Sequence, residues 1–175
     1  MLEKAIEHWL ISANELGYQP AFVHALIAQG ETVLYVSKHR SLEQGKDVAS
    51  RDADGVVKAY QLKGGDIGLR EWRAFVGEID DLVRLPVRHP SVKPGEKHRV
   101  FLATNGHVTD EVMATIQDYN KGLEAKGMGY PILEVIQREQ LRKMFVELSD
   151  RLLPIEPSAA QDLFNTYCGD GHDML

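Results

Sequence analysis

The sequence predicts an α/β sandwich in which a central mixed sheet of about four to five strands is flanked by helices. Three observations carry that expectation. Apolar residues recur at helical spacing in stretches both before and after the β-rich middle of the chain. Asp54-Gly55 stands between two β-rich runs, the strongest short-range signal for a hairpin. The run Arg99-Val100-Phe101-Leu102-Ala103-Thr104 is apolar enough to be covered on both faces, as a strand inside a helix-flanked sheet must be. The resulting order is helix, hairpin, helix, strand, helix, strand, helix, which suits a sheet with helices packed on it.

Each element has its own reason. Over residues 2–16, Leu2, Ile6, Trp9, Leu10, Ala13 and Leu16 fall on one helical face, with Gly17 as the expected C-cap. A short second helix is expected over 21–28, ending near Gly30. Residues 31–36 suit a strand or a continuing helix, and periodicity alone does not separate the two. Residues 45–50 read as a strand, 51–55 as a turn and 56–63 as the returning strand, broken by Gly64-Gly65. A helix over 69–83 carries Trp72, Phe75, Val76, Ile79, Leu82 and Val83 on one face, and Pro86, Pro90 and Pro94 mark the loop after it. Beyond the 99–104 strand, Asn105-Gly106 turns the chain. Thr109 with Asp110-Glu111 then opens a helix to about 126, since an N-cap hydroxyl and early carboxylates both favour a helix start. A strand over 132–136 and a helix over 139–153 complete one domain of 1–153. Residues 154–175 are expected to be a tail, linker or short docking helix.

Composition narrows the function. Of 175 residues, 43% are apolar and 26% charged, values of an ordinary globular domain. No apolar run is long enough to cross a bilayer, and the start Met1-Leu2-Glu3-Lys4 lacks the pattern of a signal peptide, so the expected setting is cytoplasmic with no membrane partner. The single cysteine, Cys168, excludes an internal disulfide and a cysteine-based zinc site. A net charge of −6 argues against an autonomous high-affinity nucleic-acid binder. Basic residues are nevertheless concentrated at Arg84, Arg88, Lys93, Lys97 and Arg99, and again at Lys38-His39-Arg40. Such clusters suit a solvated face, or a phosphate-facing rim whose affinity another domain or a second copy supplements. P-loop, zincin and α/β-hydrolase motifs are absent.

The chemistry lies in the hairpin. Strand side chains alternate between faces, so Gln61 and Lys63 point one way while Tyr60 and Leu62 point the other. Pairing of the two strands would bring Asp47 beside them. A carboxylate is a hard oxygen ligand for Mg²⁺, an amide or backbone carbonyl supplies a second, and a lysine can orient water and stabilise charge growing on a phosphate.

Asp47 followed 14 positions later by Gln61-Leu62-Lys63 resembles the D…QxK variant of the PD-(D/E)XK motif, in particular the Mrr-type branch of restriction-endonuclease-like nucleases. The order of flanking elements agrees with that family over roughly residues 3–150, although Lys46 stands where the motif's proline would be and residues 20–40 form an additional stretch. The resemblance implies a restriction-endonuclease-like sandwich and a Mg²⁺-dependent endodeoxyribonuclease, with Mn²⁺ as substitute. DNA is the implied substrate with RNA kept open, and the implied setting is restriction or antiphage defence, with a homo-oligomer or a fused or associated sensor domain as partner. It assigns catalysis to Asp47, Gln61 and Lys63, and metal ligation to Asp47, Gln61, the Leu62 carbonyl and a first-helix glutamate, Glu7, with Glu3 in reserve. Gly64-Gly65 is expected to open room beside the lysine.

Arg99, Asn105 and His107 are the candidate substrate contacts, the last two at the end of the apolar strand. Trp9 and Trp72 lie on apolar helical faces and are expected in the core. A rival class is a catalytically inactive nucleic-acid-binding or scaffold domain that keeps the nuclease fold. A nucleotide-binding domain of another kind is disfavoured, because no glycine-rich phosphate loop follows the first strand.

Overall fold

Residues 57–63, Val-Lys-Ala-Tyr-Gln-Leu-Lys, form the axis of the molecule, and their alternation sorts everything else into two layers. The computed structural model describes residues 2–37 and 45–152. The Lys38-His39-Arg40 cluster and the expected tail of 154–175 lie outside the described residues. The elements are α1 (Leu2–Ser12), α2 (Glu15–Ala28), β1 (Thr32–Val36), β2 (Val48–Arg51), β3 (Val57–Lys63), α3 (Leu69–Arg84), β4 (His98–Thr104), α4 (Asp110–Ala125), β5 (Leu133–Ile136) and α5 (Arg138–Leu152). They build an α/β fold with a five-stranded mixed sheet in the order β1-β2-β3-β4-β5. The first three strands are antiparallel neighbours, whereas β4 and β5 join in parallel through the crossovers that contain α3 and α4.

On one face, Val57, Ala59, Ala49, Val100 and Leu102 pack under α3 and α4 through Trp72, Ile79, Leu82, Val112 and Ile116. On the other, Val48, Tyr60, Leu62, Phe101 and Ala103 pack under α1, α2 and α5 through Leu10, Tyr18, Phe22, Leu141 and Phe145. Trp72 is therefore core, while Trp9 is half-buried against Phe145, with ring centroids 5.8 Å apart. Each fully buried aliphatic or aromatic side chain of this kind is worth about 1.5–3 kcal/mol. The two apolar faces of the sheet thus set which way every side chain of β3 must point.

The β2–β3 hairpin forms as expected. Asp52 Oδ1 accepts from the backbone N–H groups of Asp54 (3.0 Å) and Val56 (2.9 Å), and Gly55 takes φ +84°, which an L side chain rarely adopts. Residues 31–36 resolve into β1, because Glu31 ends the α2 turn and its strand pairs with β2. The helix expected over 2–16 is instead two helices. Asn14 caps the second, its Oδ1 accepting from Gly17 N at 2.7 Å. Gly17 therefore sits in the first turn of α2 and does not end α1. A capping Asn followed by Glu15 is a stronger start signal than a glycine is a stop signal. The second helix accordingly begins at Glu15, ahead of the expected residue 21, and carries Pro20 inside it.

Candidate active site

Asp47 immediately precedes β2, and its backbone continues the ladder on both sides. It donates to Tyr60 O (2.8 Å), and its carbonyl accepts from Ser37 N (2.6 Å). The β2–β3 register, extended by one residue, sets Asp47 against Gln61. Gln61 and Lys63 share the α3 face with Ala59, so all three expected residues meet on one face at the same end of the sheet. Asp47 Oδ2 accepts from Gln61 Nε2 (2.8 Å) and from Leu62 N (2.7 Å). Both side chains are nearly closed to solvent, Asp47 at 6% and Gln61 at 3% exposure. A carboxylate in such a place must be hydrogen-bonded, and these donors do that.

The consequence for Gln61 is specific. An ionised carboxylate only accepts, so the amide nitrogen must face Asp47 and the amide oxygen must face away. That oxygen, Gln61 Oε1, is the one fully buried side-chain N or O atom among the described residues without a hydrogen-bond partner. An orphaned buried acceptor costs about 1–3 kcal/mol, a cost a cation would remove. No group of three or more His, Cys, Asp or Glu is placed to hold a metal among the described residues. The donor set is one carboxylate with neutral oxygens from Gln61 and the Leu62 backbone, which fits a hard divalent ion that retains much of its water.

Lys63 ends β3 with its Nζ 2.5 Å from Glu78 Oε2 on α3 and 5.1 Å from the centroid of the Phe75 ring. The lysine side chain is 17% exposed and that of Glu78 50%, so solvent screens the pair and its net stabilisation is about 1 kcal/mol or less. Tyr18 supports the same strand end from the opposite layer: its hydroxyl bridges Lys63 O (2.9 Å) and Ala103 O (3.2 Å). Burial, with the Glu15 carboxylate next, pushes the Tyr18 phenol well up, so it stays a donor at neutral pH.

The remaining expected contacts fall elsewhere. Glu7 lies on α1, whose Ile6 and Leu10 pack on the Tyr60 and Leu62 face, so the first-helix glutamate is across the sheet from Asp47. Glu3 is paired with Arg142 of α5. Arg99 also points to that opposite layer and stands beside Lys58 in the register, five residues or about 17 Å of strand from the Lys63 level. Its guanidinium is held by Glu134 in a two-point contact of 2.7 and 2.8 Å. Asn105, 1% exposed, is a bracket: Oδ1 accepts from Gly65 N (2.7 Å) and Nδ2 donates to the carbonyls of Leu10 and Ala13 (2.6 Å each). Its side chain is closed to solvent and spent on holding two loops and α1 together, so it is not presented to a substrate. His107 is exposed, with Nε2 3.2 Å from Arg138 Nη1. Of the two glycines after the lysine, Gly65 takes φ +79° with nothing within 4 Å of a would-be Cβ, whereas Gly64 is closely packed. A Cβ on Gly64 would come 3.2 Å from Glu15 N, and Gly65 is the backbone against which Gly106 packs.

Sequence reasoning overlooked Glu78. It stands three residues after Phe75 and four before Leu82, inside the apolar stripe of α3, and an acid in that position was the available signal. It also overlooked the anchoring of the Asp47 arm. A Cβ on Gly45 (φ +70°) would lie 2.2 Å from Glu78 O, and Lys46 Nζ donates to Asp81 O at 3.2 Å. Lys46 is 2% exposed, and burial, against the attraction of Asp81, lowers its pKa to about 8. Between pH 8 and 10.5 the unfolded chain binds more protons at this site than the folded one. Stability therefore rises with pH across that window and carries the full cost of the buried charge below it, about 3 kcal/mol in order of magnitude. Asp81 O also accepts from Leu85 N (3.0 Å), so removing the lysine does not orphan it. Lys46→Met is expected to be at least as stable as wild type at pH 7 and to flatten the pH 8–10.5 slope. Urea melts at pH 7, 9 and 10.5 check this.

Among the described residues no helix is long and apolar enough to cross a membrane. No family model and no curated protein matches the chain. Among solved structures it is similar to a Moraxella osloensis Cap4 SAVED/CARF-domain containing receptor, with 16% identity and a TM-score of 0.44 over 87% of this chain. The chain spans 42% of that structure's length. So distant a likeness carries no inference about activity, and the reading of the site rests on its own geometry.

Proposed function

We propose that this chain is a Mg²⁺-dependent endonuclease domain of the PD-(D/E)XK class, of Mrr type, hydrolysing phosphodiester bonds in DNA. The observation that supports it best is the orphaned Gln61 Oε1, turned away from the Asp47 carboxylate at the strand end that carries Lys63. Asp47, Gln61 Oε1 and the Leu62 carbonyl would hold the ion, which, when bound, supplies a Lewis acid that makes water a nucleophile near neutral pH. Asp47 holds the Gln61 amide and the Leu62 N–H in place at the strand end that carries Lys63. Lys63 presents an ammonium to the phosphate, stabilising the charge that grows as a water oxygen bonds to phosphorus and one P–O ester bond breaks. The products are a phosphate monoester and a free hydroxyl. With a single carboxylate among these donors, Mg²⁺ should bind weakly in the absence of nucleic acid. The motif resemblance adds a setting in restriction or antiphage defence, with a sensor domain fused or associated.

A second reading has its own observation. The Asp47 carboxylate already accepts from Gln61 Nε2 and Leu62 N, and the Lys63 ammonium is paired with Glu78, so both charged groups of the site have partners within the protein. A nucleic-acid-binding or scaffold domain would keep such a site without using it, and its function would survive loss of Asp47 or Lys63. The test is incubation of the whole chain with supercoiled and linear DNA, and with RNA in parallel, in Mg²⁺ or Mn²⁺ with and without EDTA. Cleavage of DNA that EDTA stops is the expected result. If neither nucleic acid is cut with either metal, the nuclease proposal fails.

A further inference from the structure

Lysine is a poor catalytic group unless something immobilises it. Its four-carbon stem is flexible and its ammonium a compact point charge, and a group displaced by about 1 Å loses much of its effect. Lys63 is the last residue of β3, and the chain beyond it turns away through Gly64-Gly65 to pack on α2 and on the loop after β4. Nothing on its own strand therefore holds the side chain.

We infer that Glu78 is the positioning residue for Lys63, with the Phe75 ring as its second support. Both come from α3 and lie one turn apart, so a single rigid element presents a carboxylate 2.5 Å from Nζ and an aromatic face 5.1 Å from it. The helix is fixed by Trp72, Ile79 and Leu82, all buried in the core. The backbone of Glu78 is also the surface against which Gly45 closes, two residues before Asp47. One turn of α3 thus sets the approach of the Asp47 arm through its main chain and the place of Lys63 through its side chains. This inference rests on the nuclease reading for its effect on rate, but the hold on Lys63 exists without it.

A merely structural ion pair and a positioning one differ in what their loss changes. The Glu78 carboxylate is half-exposed and contributes little to stability, so removing its charge should leave the fold intact while releasing the lysine. The experiment compares wild type, Glu78→Gln and Lys63→Ala in the intact chain. It measures the melting temperature, kcat and KM on supercoiled DNA with Mg²⁺, and the rate at which an amine-acetylating reagent modifies Lys63, read by peptide mass spectrometry. Glu78→Gln is expected to lower kcat by about tenfold with KM within twofold, to speed acetylation of Lys63 at least about threefold, and to melt as wild type does. Unchanged Lys63 acetylation in Glu78→Gln overturns the inference, whatever happens to the rate. So does a kcat within twofold of wild type when Lys63→Ala is inactive. If wild type itself cuts nothing, the nuclease reading fails, and the acetylation ratio alone decides whether Glu78 holds the lysine.

Discussion

Lys63→Ala is expected to lower DNA cleavage by about a hundred- to a thousandfold, to the background of the assay, while the domain stays folded. The size follows from loss of a preorganised cation at the point where charge develops, an effect of that order wherever a single stabilising donor is removed. Retention of the fold follows from the environment. Lys63 meets α3 through a screened pair at the edge of the core, while Leu62 and Gln61 before it carry the buried contacts of the strand. Lys63→Arg is expected to remain strongly impaired, because a planar guanidinium does not occupy the place of a compact ammonium. Turnover of supercoiled DNA and a thermal melt on each variant suffice. A Lys63→Ala protein that cuts at the wild-type rate would remove this lysine from the chemistry.

The second large effect is on stability. Gly106→Ala should cost roughly 3 kcal/mol or more, lowering the melting temperature by about 6–12 °C for a domain of this size or preventing folding outright. A Cβ at residue 106 would lie 2.1 Å from both the carbon and the oxygen of the Gly65 carbonyl and 2.4 Å from Asp66 N. These are backbone atoms, and no rotamer relieves the overlap. The two loops are also locked together by Thr104 Oγ1 donating to Gly65 O (2.5 Å), by Asn105 Oδ1 accepting from Gly65 N (2.7 Å), and by the bridge between Ile67 and Val108. Separation of the loops would break those contacts too. Gly77→Ala is the control. It lies inside α3 with nothing within 4 Å of its would-be Cβ, so it should gain up to about 1 kcal/mol from helix propensity. Urea melts of the two variants should therefore move in opposite directions, and a Gly106→Ala protein as stable as wild type would show that the loops are not in contact in solution.

The chain's own periodicities determined the architecture. The apolar stripe of α3, the 99–104 run and the Asp54-Gly55 turn each reflect an interaction between near neighbours in sequence, and such signals can be read without coordinates. Period-two alternation likewise placed Gln61 and Lys63 on one face, with Asp47 beside them once the hairpin closed. Where two local signals competed, the sequence misled: Gly17 resembled a helix stop, yet Asn14 made it part of a helix start. Tertiary structure alone decided the company these residues keep. Glu7 and Arg99 went to the far layer, because a helix and a strand each commit their apolar residues to one side and carry their charges with them. Asn105 became a bracket, and the glycines after β3 and β4 became points of backbone contact, through partners 40 to 95 residues away. Glu78 reached Lys63 in the same way. A side chain's face is fixed by its neighbours along the chain, but its partner is fixed by how the layers close, and that depends on every core residue at once.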